Sequence, residues 1–193
     1  MLGFAGEMDA GKGSATELVK SWFPDTPSFR FSDSLREFVA WMNKEWGAKY
    51  QFAIPASTSD LQEISTALRQ IFGEDLLERA IAHRVASAKG DSPFVIIEGI
   101  RRTVDIGNFL TLPNFRLIYV EADFELRYAR HILRNEKPGD AELSREEFAK
   151  LGEAEAEQQI RLLKPHAHIV IQNNGTPEEF ARTLQSEVNK CLA

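Results

Sequence analysis

Gly6-Glu7-Met8-Asp9-Ala10-Gly11-Lys12-Gly13-Ser14 is the stretch that decides how this chain folds. Two glycines separated by four residues, then Lys-Gly-Ser, follow the short apolar run Leu2–Ala5 and open a helical pattern. Glycine lets the backbone turn tightly enough for successive N–H groups to point inward at a polyphosphate. The helix that follows brings its positive dipole end to the same point, and Lys12 adds a mobile ammonium for the outer phosphates. A strand-to-helix turn that binds nothing would account for the glycines. It would not account for the lysine, the strand before it and the helix after it occurring together. The stretch therefore implies a nucleotide-type polyphosphate site built from Gly6, Asp9, Ala10, Gly11, Lys12, Gly13 and Ser14.

Length and composition bound what surrounds that site. A chain of 193 residues, 43% hydrophobic and 27% charged, predicts one compact domain spanning 1–193 with a sizeable core. A net charge of −6 argues against a nucleic-acid surface held by bulk electrostatics. The single cysteine, Cys191, allows no internal disulfide and no zinc-bound lid. No apolar stretch approaches membrane-spanning length, and the N-terminus is phosphate loop rather than signal peptide. The expectation is a cytoplasmic protein, monomer or homodimer, whose partners are small-molecule nucleotide substrates, with no nucleic acid and no membrane.

Along the chain, helical patterns alternate with short apolar runs, the signature of a parallel sheet covered on both faces. Strands are predicted at 2–5, 28–31, 94–98, 115–121 and 168–172, with doubly buried runs such as Phe94-Val95-Ile96-Ile97. Helices should start near Lys12, Asp33, Ser59, Glu74, Thr103, Asp123, Ser144 and Thr176. Ser144 and Thr176 each precede early carboxylates, as helix caps do. Residues 32–90 form a helical insertion between the core segments 1–31 and 91–193, too long for an ordinary crossover. Its stripes, Leu35/Phe38/Val39/Met42/Trp46 and Leu61/Ile64/Leu68/Ile71/Phe72, read first as core faces. Trp41, Tyr50 and Phe52 are aromatics that either pack or stack a base. Arg84, set among apolar residues, reads as a snorkelling cation before a phosphate ligand.

The loop's ending, Gly-Lys-Gly-Ser, resembles that of the nucleoside monophosphate kinases. Ile96-Ile97-Glu98-Gly99-Ile100-Arg101-Arg102-Thr103 is similar to their segment with an acid at a strand end and an arginine just beyond. A carboxylate there suits magnesium held through water, and an arginine fork suits a monophosphate. Either Arg101 or Arg102 fits the alignment. Glu125-Leu126 through Arg130 and Arg134 resembles the helix entering the lid of these kinases. Arg127, Arg130 and Arg134 share one face of it, and a solvated basic stripe is the plain alternative. Ile169 through Glu179 is similar to their last strand and adenine-lining turn, also found in dephospho-coenzyme A kinases. His166 and His168 read as ordinary histidines, having no third ligand nearby. Phe31-Ser32-Asp33-Ser34-Leu35-Arg36 and Leu68-Arg69-Gln70-Ile71-Phe72-Gly73-Glu74-Asp75 resemble the insertion of the deoxynucleoside monophosphate kinases.

The resemblance implies a three-layer α/β/α P-loop fold with a five-stranded parallel sheet in the order 2-3-1-4-5, a helical acceptor-binding insertion and a short lid at about 135–146. It implies ATP and Mg2+ as cofactors and transfer of the γ-phosphoryl to a nucleoside or deoxynucleoside 5′-monophosphate. Lys12, Arg130 and Arg134 would be catalytic, and Gly175, Thr176 and Pro177 would complete the ATP site. Ser14 and Glu98 would organise the metal, and Asp33, Arg36, Arg69, Arg101 and Arg102 would face the acceptor. Dephospho-coenzyme A kinase and a nucleotide-binding regulatory protein are the alternatives. Three features depart from the pattern. Glu7 and Asp9 place acids in the phosphate loop, and the lid is short. The long helix after the lid carries Glu153-Ala154-Glu155-Ala156-Glu157 where an arginine is usual, with Arg145, Lys150 or Arg161 as substitutes. Such a charge run reads as a solvated face.

Overall fold

The computed structural model describes residues 1–88, 91–135 and 140–192. Five strands form one parallel sheet: β1 (Leu2–Ala5), β2 (Ser28–Arg30), β3 (Ile96–Glu98), β4 (Arg116–Glu121) and β5 (Ile169–Gln172). Their order is β2-β3-β1-β4-β5, as expected. β1 lies between β3 and β4, with Gly3 opposite both Ile97 and Leu117. Alternate residues of each strand face opposite sides, so two cores form. Leu117 and Tyr119 point into one with Phe115, Ile97 and Ile160, whereas Ile118 and Val120 join Leu2, Phe4, Val19 and Leu184 in the other. Gly3 is required by packing, because a Cβ there would lie 2.8 Å from the Phe115 ring.

Helices α1 (Lys12–Trp22) and α9 (Pro177–Lys190) cover one face. Between β2 and β3 lie α2 (Phe31–Met42), the short α3 (Ala48–Tyr50), α4 (Thr58–Phe72) and α5 (Leu76–Ala86). α2 begins two residues before its expected start at Asp33, because Asp33 closes the cap from inside, accepting from the Arg30 amide. A π-helical segment, Asn43–Gly47, joins α2 to α3. The Asn43 side chain clamps Ile54 there by donating to its carbonyl (3.0 Å) and accepting from its amide (2.7 Å).

The insertion stripes are only partly core. Leu35, Val39 and Leu61 are buried, but Phe38, Trp46, Ile71 and Phe72 are exposed, as are Trp41, Tyr50 and Phe52. α4 packs on α2 and α5, and the outward side of this helical layer carries the exposed aromatics. Arg84 does not simply snorkel; it pairs with Glu37 at 3.0 Å and lies over the Phe29 ring.

Two expected helices differ. At Thr103 there is a single 3-10 turn, Thr103–Asp105, because the Asp105 carboxylate accepts from the amides of Arg101 and Arg102 and fixes a tight bend. The helix expected to run on from Ser144 is two, α7 (Arg145–Gly152) and α8 (Glu155–Arg161). Gly152 weakens the helix, and side chains take the carbonyls freed at the break. Arg161 donates to Gly152 O and Gln158 to Glu153 O, each at 2.9 Å. α6 (Phe124–Arg134) precedes them. Part of the expected lid, residues 136–139, and residues 89–90 of the expected insertion lie outside the described residues. The rest of the lid holds a 3-10 turn, Asp140–Glu142. Among the described residues no helix is long and apolar enough to cross a membrane.

Candidate active site at the phosphate loop

The loop leaves the C-terminal end of β1 and must turn back against Val120 of β4 and Asn173 just after β5 to start α1. Gly6 (φ +146°) and Gly11 (φ +111°) make the two turns. A Cβ at Gly6 would lie 2.1 Å from Val120 O, and one at Gly11 would lie 2.3 Å from the Asn173 amide nitrogen. Asp9, at φ +59°, makes the left-handed turn between them, a conformation Asp tolerates better than most residues. No side chain caps Gly11 at the start of α1. The first amides of that helix have no helical partner either, the arrangement an anion needs. Lys12 curls over the loop and donates to Glu7 O at 2.7 Å. Burial pushes its ammonium down to about 8; Glu157 and Asp9 pull upward, while Arg101 and Arg134 press further down.

Both loop acids are matched by cations. Glu7 accepts from Arg161 Nε at 2.9 Å and lies 3.5 Å from Arg127 Nη2. The Asp9 carboxylate is buried, 2.8 Å from His131 Nδ1 and 3.1 Å from Arg134 Nη1. His131 Nε2 in turn lies 3.5 Å from Asp140. Arg134, expected at the transferring phosphoryl, is thus paired with the loop itself. Arg127 is no member of a solvated stripe: it is buried under the loop, donating to Ala122 O at 3.1 Å. Arg130 donates to Asn173 O at 2.8 Å, and Asn173 donates to Ala10 O at the same distance, joining α6, the end of β5 and the loop. Arg130 Nη1 is buried with no hydrogen-bond partner among the described residues. Of the proposed lid substitutes, Arg161 reaches the loop, whereas Arg145 pairs with Glu125 on the surface.

The remaining expected residues divide. Ser14 is exposed on the first turn of α1, open to a metal or phosphate. Glu98 is already engaged: Ser28 and Arg30 (2.8 Å) donate to its two oxygens, with Lys20 3.9 Å away. Burial alone would raise its pKa, but these bonds and charges hold it below the usual carboxylate range. It does not fit direct metal ligation. Gly175, Thr176 and Pro177 are exposed, and Thr176 caps α9 through Glu179. Arg69, expected at the acceptor, is buried and committed to Asp105 at 2.5 Å and to Glu74 O. Arg102 is taken by Glu155 (3.4 Å) and Glu74 (4.0 Å), and Asp33 by its capping role. Arg36 is exposed, with one long bond to Ala56 O at 3.4 Å. Arg101 is exposed, has no ion-pair partner among the described residues, and acts electrostatically on Lys12. Of the two adjacent arginines, Arg101 is the one available to a ligand.

Four contributors were not singled out from sequence: His131, Asp105, Glu157 and Asn173. His131 stands four residues after Arg127, on the same helix face, which was the available signal. The charge pattern places Glu157 in a solvated run, yet it is buried and accepts from the Met8 amide at 2.8 Å.

No family model matches the chain, and no curated protein sequence matches it. Solved structures do. The crystal structure of TT1252 from Thermus thermophilus superposes with a TM-score of 0.61 at 20% identity, covering 98% of this chain and 96% of that one. Dephospho-CoA kinase from Campylobacter jejuni gives 0.56 at 12% identity, covering 98% and 96%. Shikimate kinase from Acinetobacter baumannii, in complex with shikimate, gives 0.51 at 13%, covering 98% and 92%. The fold is that of the P-loop kinases. At these identities the likeness establishes architecture, and the chemistry rests on the residues of this chain.

Proposed function

We propose that the protein is an ATP-dependent phosphotransferase that moves the γ-phosphoryl of Mg-ATP to a nucleoside or deoxynucleoside 5′-monophosphate. The observation that carries this reading is the loop itself: positive-φ turns at Gly6, Asp9 and Gly11 lead into an uncapped helix start, Lys12 lies over the loop, and Arg101 is exposed with no ion-pair partner among the described residues. An uncapped helix start beside a lysine and an exposed arginine favours a multiply charged anion. The loop amides and Lys12 hold the donor phosphates, and Arg130 fixes the turn at Asn173 beside the base. Arg101 and Arg36 face the acceptor phosphate. Ser14 would hold magnesium together with phosphate oxygens, and Glu98 would act on it only through water. Magnesium, when bound, offsets charge on the phosphates. No side-chain nucleophile is required, since in-line phosphoryl transfer rests on positioning and charge neutralisation.

The second reading is dephospho-CoA as acceptor, favoured by the structural likeness to the Campylobacter enzyme. A panel of Mg-ATP with each monophosphate and with dephospho-CoA, scored for ADP, separates them. Turnover with one acceptor, abolished by Lys12→Ala, supports a transferase and names its substrate. Tight ATP binding with no acceptor-dependent ADP would refute both and leave a nucleotide-binding regulatory protein.

A further inference from the structure

α8 touches the phosphate loop and the acceptor side at once. Arg161 holds the Glu7 carboxylate (2.9 Å), Glu157 holds the Met8 amide (2.8 Å), and Glu155 holds Arg102 (3.4 Å). Glu157 and Arg161 are four residues apart and share a helix face, so one turn of helix grips two successive residues of the loop. Glu157 is 9% exposed, whereas Glu153 and Glu155 beside it are in solvent. A glutamate is rarely buried unless its charge is used. Here it receives a backbone donor that forms no helix or sheet bond.

We propose that Glu157 is a positioning residue of the phosphate site, fixing the Met8 amide so that the following turn through Asp9 and Gly11 presents its amides to an anion. The idea rests on the phosphate-site reading above. The loop has three residues at positive φ, Gly6, Asp9 and Gly11, and among the described residues the one backbone bond within it is the long Ala10–Glu7 contact of 3.2 Å. Without an external anchor such a segment samples many conformations, and a ligand must then order it. Glu157 and Arg161 anchor the first half of the loop before the ligand arrives, as His131, Arg134 and Asn173 anchor the second. The carboxylate also acts on Lys12, more strongly than any other charge does, in the direction that keeps the lysine an ammonium.

The test compares Glu157→Ala with Glu157→Gln, whose amide oxygen can still accept from Met8. Calorimetry reads the binding of Mg-ATP and of inorganic tripolyphosphate, which engages the loop without a base. Hydrogen–deuterium exchange over residues 6–12 reads the ligand-free loop. Glu157→Ala should weaken both ligands by the same factor, about tenfold to a hundredfold, the worth of one charge-assisted hydrogen bond. It should also speed exchange in the loop while the sheet stays protected. Glu157→Gln should restore slow exchange and bring affinity back to within about threefold. If Glu157→Ala binds either ligand as tightly as the natural chain, or more tightly, the carboxylate is idle or a competitor for the phosphate position, and the proposal fails. It fails equally if glutamine does not rescue. Should the natural chain bind neither ligand, the phosphotransferase reading falls. Loop exchange still judges Glu157 in that case, and unchanged protection in Glu157→Ala overturns its role.

Discussion

Replacing Arg69 with methionine keeps most of the side-chain volume and removes one half of a buried ion pair. Arg69 and Asp105 have side chains 4% and 3% exposed and meet at 2.5 Å. Asp105 also accepts from the amides of Arg101 (3.1 Å) and Arg102 (3.0 Å), so the pair sets the bend that carries Arg101. Removing one partner of a buried pair costs roughly 3–5 kcal/mol, because the other charge is left without compensation. In a domain of this size each kcal/mol moves Tm by about 2–4 °C, so Arg69→Met should lower Tm by roughly 6–20 °C. Adding Asp105→Asn removes the stranded charge and should recover at least about 1 kcal/mol, a coupling read by a double-mutant cycle. Urea and thermal unfolding measure both variants. The structural role of Arg69 would be refuted by a Tm within about 2 °C of the natural chain together with an acceptor KM raised tenfold or more. That pattern would return Arg69 to the acceptor, where the sequence resemblance had put it.

Arg101 and Arg102 should separate cleanly. Arg101→Ala should lower kcat/KM by about a hundredfold, as expected for losing a charge-assisted contact to phosphate, while Arg102→Ala, which breaks only part-exposed pairs, should change it less than threefold. Because burial lowers the Lys12 pKa to about 8, Mg-ATP affinity should fall as pH rises through that value, by up to about tenfold per unit. Lys12→Met should bind weakly without that slope, and the same slope in both proteins would refute the assignment. The same shift makes the unfolded chain bind more protons than the native one from about pH 8 up to the ordinary lysine range, so Lys12 raises stability with pH across that window. Glu98 has a signature of the same sign on the acid side. Its folded pKa lies below that of the unfolded chain, so its contribution is complete above the ordinary glutamate range and is lost as pH falls through the lower folded value. The stability difference between the natural chain and Glu98→Gln should therefore narrow on acidification, which denaturant unfolding at several pH values would detect.

What was legible in the sequence followed from local rules. The strand order came with the resemblance carried by the loop, and the caps at Ser144 and Thr176 obeyed the Ser/Thr-then-acid pattern that a helix start requires. What escaped depended on partners distant in sequence. Nothing near Arg69 announces that Asp105, 36 residues later, will neutralise it. Nothing in the Glu153–Glu157 run distinguishes the one acid that meets Met8, 149 residues earlier. Arginine in a binding motif and arginine in a buried pair look identical in one dimension, because the deciding quantity is which carboxylate the fold brings within about 4 Å.

The acids in the loop show how such pairing changes a functional argument. Glu7 and Asp9, taken alone, would repel a polyphosphate. In the fold Glu7 faces Arg127 and Arg161, and Asp9 faces His131 and Arg134. Each loop acid therefore has an arginine partner that offsets its charge, so neither opposes an anion as a bare carboxylate would. Three of the four partners stand on α6, and the Asp9–His131 contact is buried. Swinging α6 away from the loop would strand the Asp9 carboxylate, at a cost of several kcal/mol. α6 is therefore part of the frame of the site and not a moving lid. The position of Arg134 follows from the frame, and Asp9, which looked like a defect of the phosphate loop, is what holds that arginine over it.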